Sequence, residues 1–227
     1  MLRNPPQNLN KMEKKSAFGF SLLIVAIAFG LFACGQASGP LPHFGFHDVD
    51  PDTGDTIYHQ IRDFSFVDQD SQLVTNDFFE DKIYVADFFF TSCPTICPKV
   101  KAQMLRIYEK YEQDDRVALL SHTIDVKRDT VGKLKKYAAG LGVDNPKWRF
   151  VTGARDSIYA ITYDYISTAL EAPEVPGGFD HSGWILLVDK DRHLRAYADG
   201  TKEEKVDVLL RQIDQLLAEY EQPVPSE

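Results

Sequence analysis

Cysteine is scarce in this chain, with three among 227 residues. That excludes a disulfide-built scaffold, so the fold must rest on an apolar core and the cysteines are free for chemistry. Positive charge is in deficit as well: Lys+Arg number 25 against 34 Asp+Glu, a formal net charge of −9. Such a balance is wrong for a protein whose affinity comes from neutralising phosphates, and it excludes generic nucleic-acid binding. No internal repeat and no low-complexity run is visible, which sets aside solenoids and fibres. What the chain does have is 44% hydrophobic and 12% aromatic residues, enough to bury a core and to exclude intrinsic disorder.

Residues 1–15 carry Arg3, Lys11, Lys14 and Lys15 against the single acid Glu13, and residues 17–33 then run without a charge. This is the n-region and h-region of a targeting segment. The stretch Leu31-Phe32-Ala33-Cys34-Gly35 resembles a bacterial lipoprotein box, with Cys34 as the lipid anchor. The alternative is an uncleaved anchor, since about 17 apolar residues lie at the lower edge of what spans a bilayer. Either way, the residues from Gly35 onward are expected outside the cytoplasmic membrane and tethered to it. The chain therefore divides into residues 1–33, a lipoprotein signal peptide or membrane anchor; 34–62, a tether and leading loop; 63–220, one domain; and 221–227, a C-terminal tail. His43, His47 and His59 fall in the leading loop. With uneven spacing and neither cysteine nor paired carboxylates beside them, they read as ordinary exposed histidines.

Within the domain, short β-patterns at residues 64–67 and 72–74 precede the run Ile83-Tyr84-Val85-Ala86-Asp87-Phe88-Phe89-Phe90, whose β-branched and aromatic content predicts a strand buried on both faces. A helical stripe comes next at Val100, Met104, Ile107, Tyr108 and Tyr111. Residues 117–124 predict a second buried strand, 130–141 a helix stopped by Gly142, 148–151 a strand, and 157–163 a short helix. Residues 184–188 and 193–197 predict a hairpin around Asp189-Lys190-Asp191-Arg192. A capping box, Thr201-Lys202-Glu203-Glu204, opens the last helix. Strands alternating with helices, then a hairpin and a final helix, specify a thioredoxin-like α/β sandwich with a mixed central sheet.

The chemistry lies in Cys93-Pro94-Thr95-Ile96-Cys97-Pro98. Cys93 comes after the most buried strand and Cys97 sits where a helix begins, so backbone N–H groups and the helix dipole favour thiolates there. Cys93 and Cys97 thus form a candidate redox-active pair. A structural disulfide is the plainer alternative, but closing so short a loop stabilises by only about 2 kcal/mol. Three intervening residues, instead of the two of thioredoxin-type enzymes, suit two sulfurs held around a soft ion, Cu(I) or Zn(II), which commonly takes imidazole as a further donor. Asp180-His181-Ser182-Gly183-Trp184, after the loop containing Pro176, Gly177 and Gly178 and just before a core strand, offers one in His181. A lone histidine at a strand edge can equally be an ordinary hydrogen-bonded residue.

Thr91-Ser92-Cys93-Pro94-Thr95-Ile96-Cys97-Pro98, Asp125 with Arg128-Asp129-Thr130, Trp148-Arg149-Phe150-Val151-Thr152-Gly153, and Asp180-His181-Ser182 through Val188-Asp189 together resemble the Sco/SenC family from about Asp63 to Leu217. The resemblance implies a membrane-tethered thioredoxin-like Sco domain on the periplasmic, extracytoplasmic side that binds one copper, Cu(I) or Cu(II), through Cys93, Cys97 and His181. It also implies a partner, the CuA-bearing subunit II of cytochrome c oxidase, which receives the copper or has its cysteines reduced, and a thiol reductant that keeps the pair reduced. The family often has prolines where this chain carries Val126 and Val131, while Asp125 and Asp129 remain. Asp129 reads most simply as the N-cap of the helix starting at Thr130, with a role in copper transfer as a second reading.

Three functions compete. A copper chaperone needs a releasable site and a docking partner rather than turnover. A thiol-disulfide oxidoreductase would use Cys93 and Cys97 without metal and could dispense with His181. Peroxidase chemistry on a related scaffold wants Thr-x-x-Cys, and Thr91 lies one residue too close to Cys93.

Overall fold

The computed structural model describes residues 39–144 and 146–221. The expected signal or anchor segment, Cys34 and the tail beyond 221 lie outside the described residues.

The central sheet has seven strands in the order β11-β10-β5-β6-β7-β3-β4. These are β3 (Ser65–Asp68), β4 (Leu73–Thr75), β5 (Ile83–Phe89), β6 (Val117–Thr123), β7 (Trp148–Thr152), β10 (Trp184–Val188) and β11 (Leu194–Asp199). β5, β6 and β7 run parallel, and every other pairing is antiparallel. Four α-helices lie among the described residues: α1 (Cys97–Tyr111), α2 (Val131–Gly140), α3 (Arg155–Asp164) and α4 (Glu203–Glu221). This is the expected mixed α/β sandwich. Two short pairs stand apart from the sheet, β1 (Asp48–Val49) with β2 (Thr56–Ile57), and β8 (Ala169–Glu171) with β9 (Phe179–His181).

Each residue of β5 and β6 is buried, as parallel strands covered on both faces require. Strand alternation sorts the core into two layers. On one face Asp87, Ser121, Phe89, Trp148 and Phe150 gather around the Lys101 ammonium of α1. There Tyr137 of α2 stacks on Phe89 with ring centroids 5.3 Å apart. α4 is held to α1 by Arg106–Asp207 and Lys110–Asp214 pairs at 2.6 and 2.7 Å. On the opposite face His122 stacks on Phe88 at 4.8 Å and packs edge-on to Phe66 at 5.6 Å. Tyr165, after α3, closes that layer with a hydroxyl–hydroxyl contact to Tyr84 at 2.9 Å.

Several local expectations change. The leading loop buries Leu41 and Ile61, and Phe44 N donates to Leu194 O at 2.8 Å. His43 and His59 are half-buried, against the expectation of ordinary exposed histidines; His47 is exposed. His59 Nε2 lies 2.9 Å from the Asp164 carbonyl. At the last helix the Thr201 hydroxyl donates to Asp199 at 2.6 Å, and α4 begins at Glu203.

No helix among the described residues is long and apolar enough to cross a membrane.

Candidate metal centre

The site forms at the carboxyl ends of β5 and β6, the edge at which open α/β sheets place ligands. β5 runs through Phe90 into Thr91 and Cys93, and Cys93 N donates to Phe90 O at 3.2 Å, closing a turn. Cys97 is the first residue of α1, where Pro98 is tolerated because its missing N–H would have no partner in the first turn. β10 runs antiparallel to β5, with Ile185 opposite Asp87, so the residues just before β10 return to the same edge. They deliver His181, the last residue of β9.

Cys93 Sγ, Cys97 Sγ and one His181 ring nitrogen all lie within 4.8 Å of one another. His181 Nε2 is 3.4 Å from Cys97 Sγ, and Nδ1 is 3.1 Å from the Ser182 carbonyl. A proton on Nδ1, donated to that carbonyl, would leave the Nε2 lone pair for a bound ion, while without an ion Nε2 can carry a proton toward the sulfurs. Cys97 and His181 are buried, Cys93 is half-exposed, and both thiols are free. Atoms bound at about 2.0–2.3 Å to one metal can lie up to about 4.6 Å apart. The three residues could therefore hold a soft ion after a small side-chain adjustment.

The two thiols differ sharply. Burial would raise Cys93, but the Cys97 and Thr95 N–H groups and the His181 ring outweigh it and lower its pKa to about 6. Cys97 is driven well above the ordinary thiol range, first by burial and further by the neighbouring Cys93, with the Phe90 backbone and Lys101 opposing. A thiolate is thus already available at the exposed position, while the buried one needs a cation to replace its proton. The sulfurs open onto a cleft of about 330 Å³ that Tyr137 and Lys101 also line.

Two charged residues brace the site. Asp129 is fully buried. It does not cap α2: the N-cap is Thr130, with no side-chain cap bond. Its carboxylate instead accepts from Thr91 N at 2.9 Å, Thr91 Oγ1 at 2.6 Å and Thr123 Oγ1 at 2.7 Å, and pairs with Lys133 at 3.0 Å. The carboxylate is thus turned to the strand ends of β5 and β6 and to Lys133. Arg128 donates to Asp125 and to Gly177 O at 3.0 Å, tying the β6 end to the loop that carries His181. Gly177 has φ +95, and a Cβ there would meet Phe90 ring carbons at 2.7 and 2.8 Å, so only glycine lets that loop close over Phe90. Phe90 itself packs edge-on to His181 at 5.6 Å. These braces act across the fold, and the sequence shows only the identities of Arg128 and Asp129, not their reach.

Residues 53–218 match the SCO1/SenC family. The SCO1 protein homolog of Bacillus subtilis (strain 168) is 26% identical over 161 residues, 70% of this chain and 83% of that protein. The structure of a SCO1/SenC family lipoprotein from Bacillus anthracis str. Ames superposes with a TM-score of 0.64 at 24% identity, covering 70% of this chain and 95% of that one. Arabidopsis thaliana ScoI, solved with copper bound, gives 0.60 at 23% identity over 70% of this chain and 98% of its own.

Proposed function

Because the chain belongs to the SCO1/SenC family, we propose that it is a membrane-tethered, extracytoplasmic copper chaperone that binds one copper through Cys93, Cys97 and His181 and assists assembly of the CuA centre of cytochrome c oxidase. The observation that carries this is the convergence of two sulfurs and a pre-oriented imidazole nitrogen within 4.8 Å. That donor set suits Cu(I), the softest of the available ions, and a third neutral ligand completes a trigonal site. Copper is cargo here. A half-exposed Cys93 gives a receiving protein's thiolate one sulfur to displace first, and the buried Cys97–His181 pair holds the ion until exchange is complete. In this reading a lipid on Cys34 is the tether and holds the domain on the outer side of the cell membrane.

The same asymmetry favours a second reading, a thiol-disulfide oxidoreductase acting on cysteines of the oxidase subunit. Cys93, the more acidic and accessible thiol, would attack a partner disulfide, and Cys97 would resolve the mixed disulfide, leaving the partner reduced and this pair oxidised. An external thiol reductant would then restore it.

His181 separates the two. The full chain is titrated anaerobically with Cu(I) beside Cys93→Ser, Cys97→Ser and His181→Ala. The chaperone reading expects one copper per chain and a large loss of affinity in all three variants. It also expects His181→Ala to lose the thiolate-to-Cu(II) charge-transfer band and copper delivery to an oxidase subunit fragment, while still forming the Cys93–Cys97 disulfide. Wild-type copper binding and delivery by His181→Ala would leave the oxidoreductase as the function.

A further inference from the structure

The leading segment is stitched to the β10–β11 hairpin in two places, by Phe44 N to Leu194 O at 2.8 Å and by Ile61 N to Arg192 O at 2.9 Å. Beside these stitches three side chains converge. One ring nitrogen each from His43 and His193 and one carboxylate oxygen of Asp189 all lie within 4.8 Å of one another. We propose that His43, Asp189 and His193 form a second metal site, free of sulfur, for a divalent borderline ion such as Zn²⁺ or Cu²⁺.

The chemistry of the donors sets the class of ion. Two imidazoles and a carboxylate match Zn²⁺ and Cu²⁺ and lack the thiolate that a soft Cu(I) prefers. Donors at about 2.0–2.2 Å from one ion can lie up to about 4.4 Å apart, so the observed set needs to close only slightly. His193 Nδ1 is buried without a hydrogen bond and lies 3.4 Å from Asp189 Oδ2. A buried polar atom left in that state needs a partner, and an ion between the two groups would supply one.

Asp189 is already fixed. Its Oδ1 accepts from Asp191 N at 3.0 Å and His193 N at 2.8 Å, and its Oδ2 accepts from Arg195 Nη1 at 3.0 Å. The i,i+4 turn that these bonds close is what brings His193 back beside the carboxylate. Arg195, bonded to the same carboxylate, is the charge that opposes a cation most directly. It is shared with Glu219 at 2.9 Å and with the Leu41 carbonyl at 2.6 Å, so two carboxylates, Asp189 and Glu219, face that guanidinium. His43 is held by stacking on Tyr58, ring centroids 4.0 Å apart, and by an edge contact with His193 at 5.0 Å. Its lateral freedom is therefore small. Because His43 comes from the leading segment and the other two from the hairpin turn, a bound ion would clip that segment to the domain.

The test uses the full chain with Cys93→Ser, Cys97→Ser and His181→Ala, so that the first site cannot take the ion, after chelator treatment. Zn²⁺ titration is expected to give one equivalent, and the Cu²⁺ adduct a spectrum with coupling to two nitrogens. Adding His43→Gln, at a half-buried position outside every strand, should weaken binding at least tenfold and leave one nitrogen coupled. Zn²⁺ should also slow proteolytic cleavage between residues 43 and 60 in the parent and not in the His43→Gln chain. No bound ion, or binding that persists in His43→Gln and disappears in His47→Gln or His59→Gln, overturns the proposal.

Discussion

The carboxylate of Asp129 holds both the backbone N–H and the hydroxyl of Thr91, at 2.9 and 2.6 Å, and so fixes the strand end from which the Cys93 loop departs. Replacing Asp129 by Ala leaves these donors and the Thr123 hydroxyl unpaired in a dry site. The expected cost is roughly 2–4 kcal/mol of stability, with at least a tenfold loss of Cu(I) affinity although all three proposed ligands remain. Asp129→Asn, which keeps one acceptor oxygen, should recover about half of each. Denaturant unfolding and Cu(I) competition with a chelator measure the two effects. Wild-type affinity in a folded Asp129→Ala chain would show that the loop holds its geometry without this brace.

Cys93 should alkylate well before Cys97 in the reduced, metal-free protein. The thiolate is the reactive form, and its fraction rises as pH climbs through the pKa of about 6. Iodoacetamide labelling of Cys93 should therefore reach its plateau by about pH 8, where an ordinary cysteine with pKa about 8.5 is still accelerating. Mass spectrometry of the labelled peptides distinguishes the sites. Equal rates at both cysteines across this range would contradict the asymmetry.

His122 gives the fold an acid-sensitive core. Burial, reinforced by repulsion from Lys101 and opposed by the Asp87 backbone, lowers its pKa from 6.5 to about 3. Since the folded value lies below the unfolded one, the unfolded chain binds the proton first as pH falls. The contribution of neutral His122 is fully present above about pH 6.5 and is lost at up to about 1.4 kcal/mol per pH unit down to about pH 3. His122→Phe, which keeps the aromatic packing against Phe88 and Phe66, should flatten this part of the stability profile. A profile of unchanged slope in the variant would assign the acid sensitivity to other groups.

Lys101 and Asp87 form a buried ion pair at 2.7 Å, with side chains 2% and 0% exposed. Lys101→Met strands Asp87 in the core and should cost about 3–5 kcal/mol, whereas a Lys101→Met, Asp87→Leu chain should regain most of that loss. Urea midpoints for the two variants test it. Near-equal stability of the single and double variants would mean that Asp87 does not require its counter-charge.

The sequence by itself determined the strands of the central sheet, the helices that cover it and their order. Runs such as residues 83–90 are long and uniformly apolar, and helices such as α1 repeat their apolar positions every three or four residues, so the local pattern carries the assignment. It also determined the chemistry of the candidate site, because Cys93 and Cys97 share one loop and His181 sits before a recognisable core strand. The pairs β1–β2 and β8–β9 are not legible in it, since strands of two or three residues, partly exposed, are too short to display a period. Asp129 has the pattern of a cap because an aspartate before a helix usually is one. Only the tertiary structure brought Thr91 and Thr123 within reach of its carboxylate. The same holds for Lys101 beneath Asp87, and for His43 beside Asp189 and His193. Each of these depends on groups from different elements meeting in space, and spacing along the sequence carries no record of that distance.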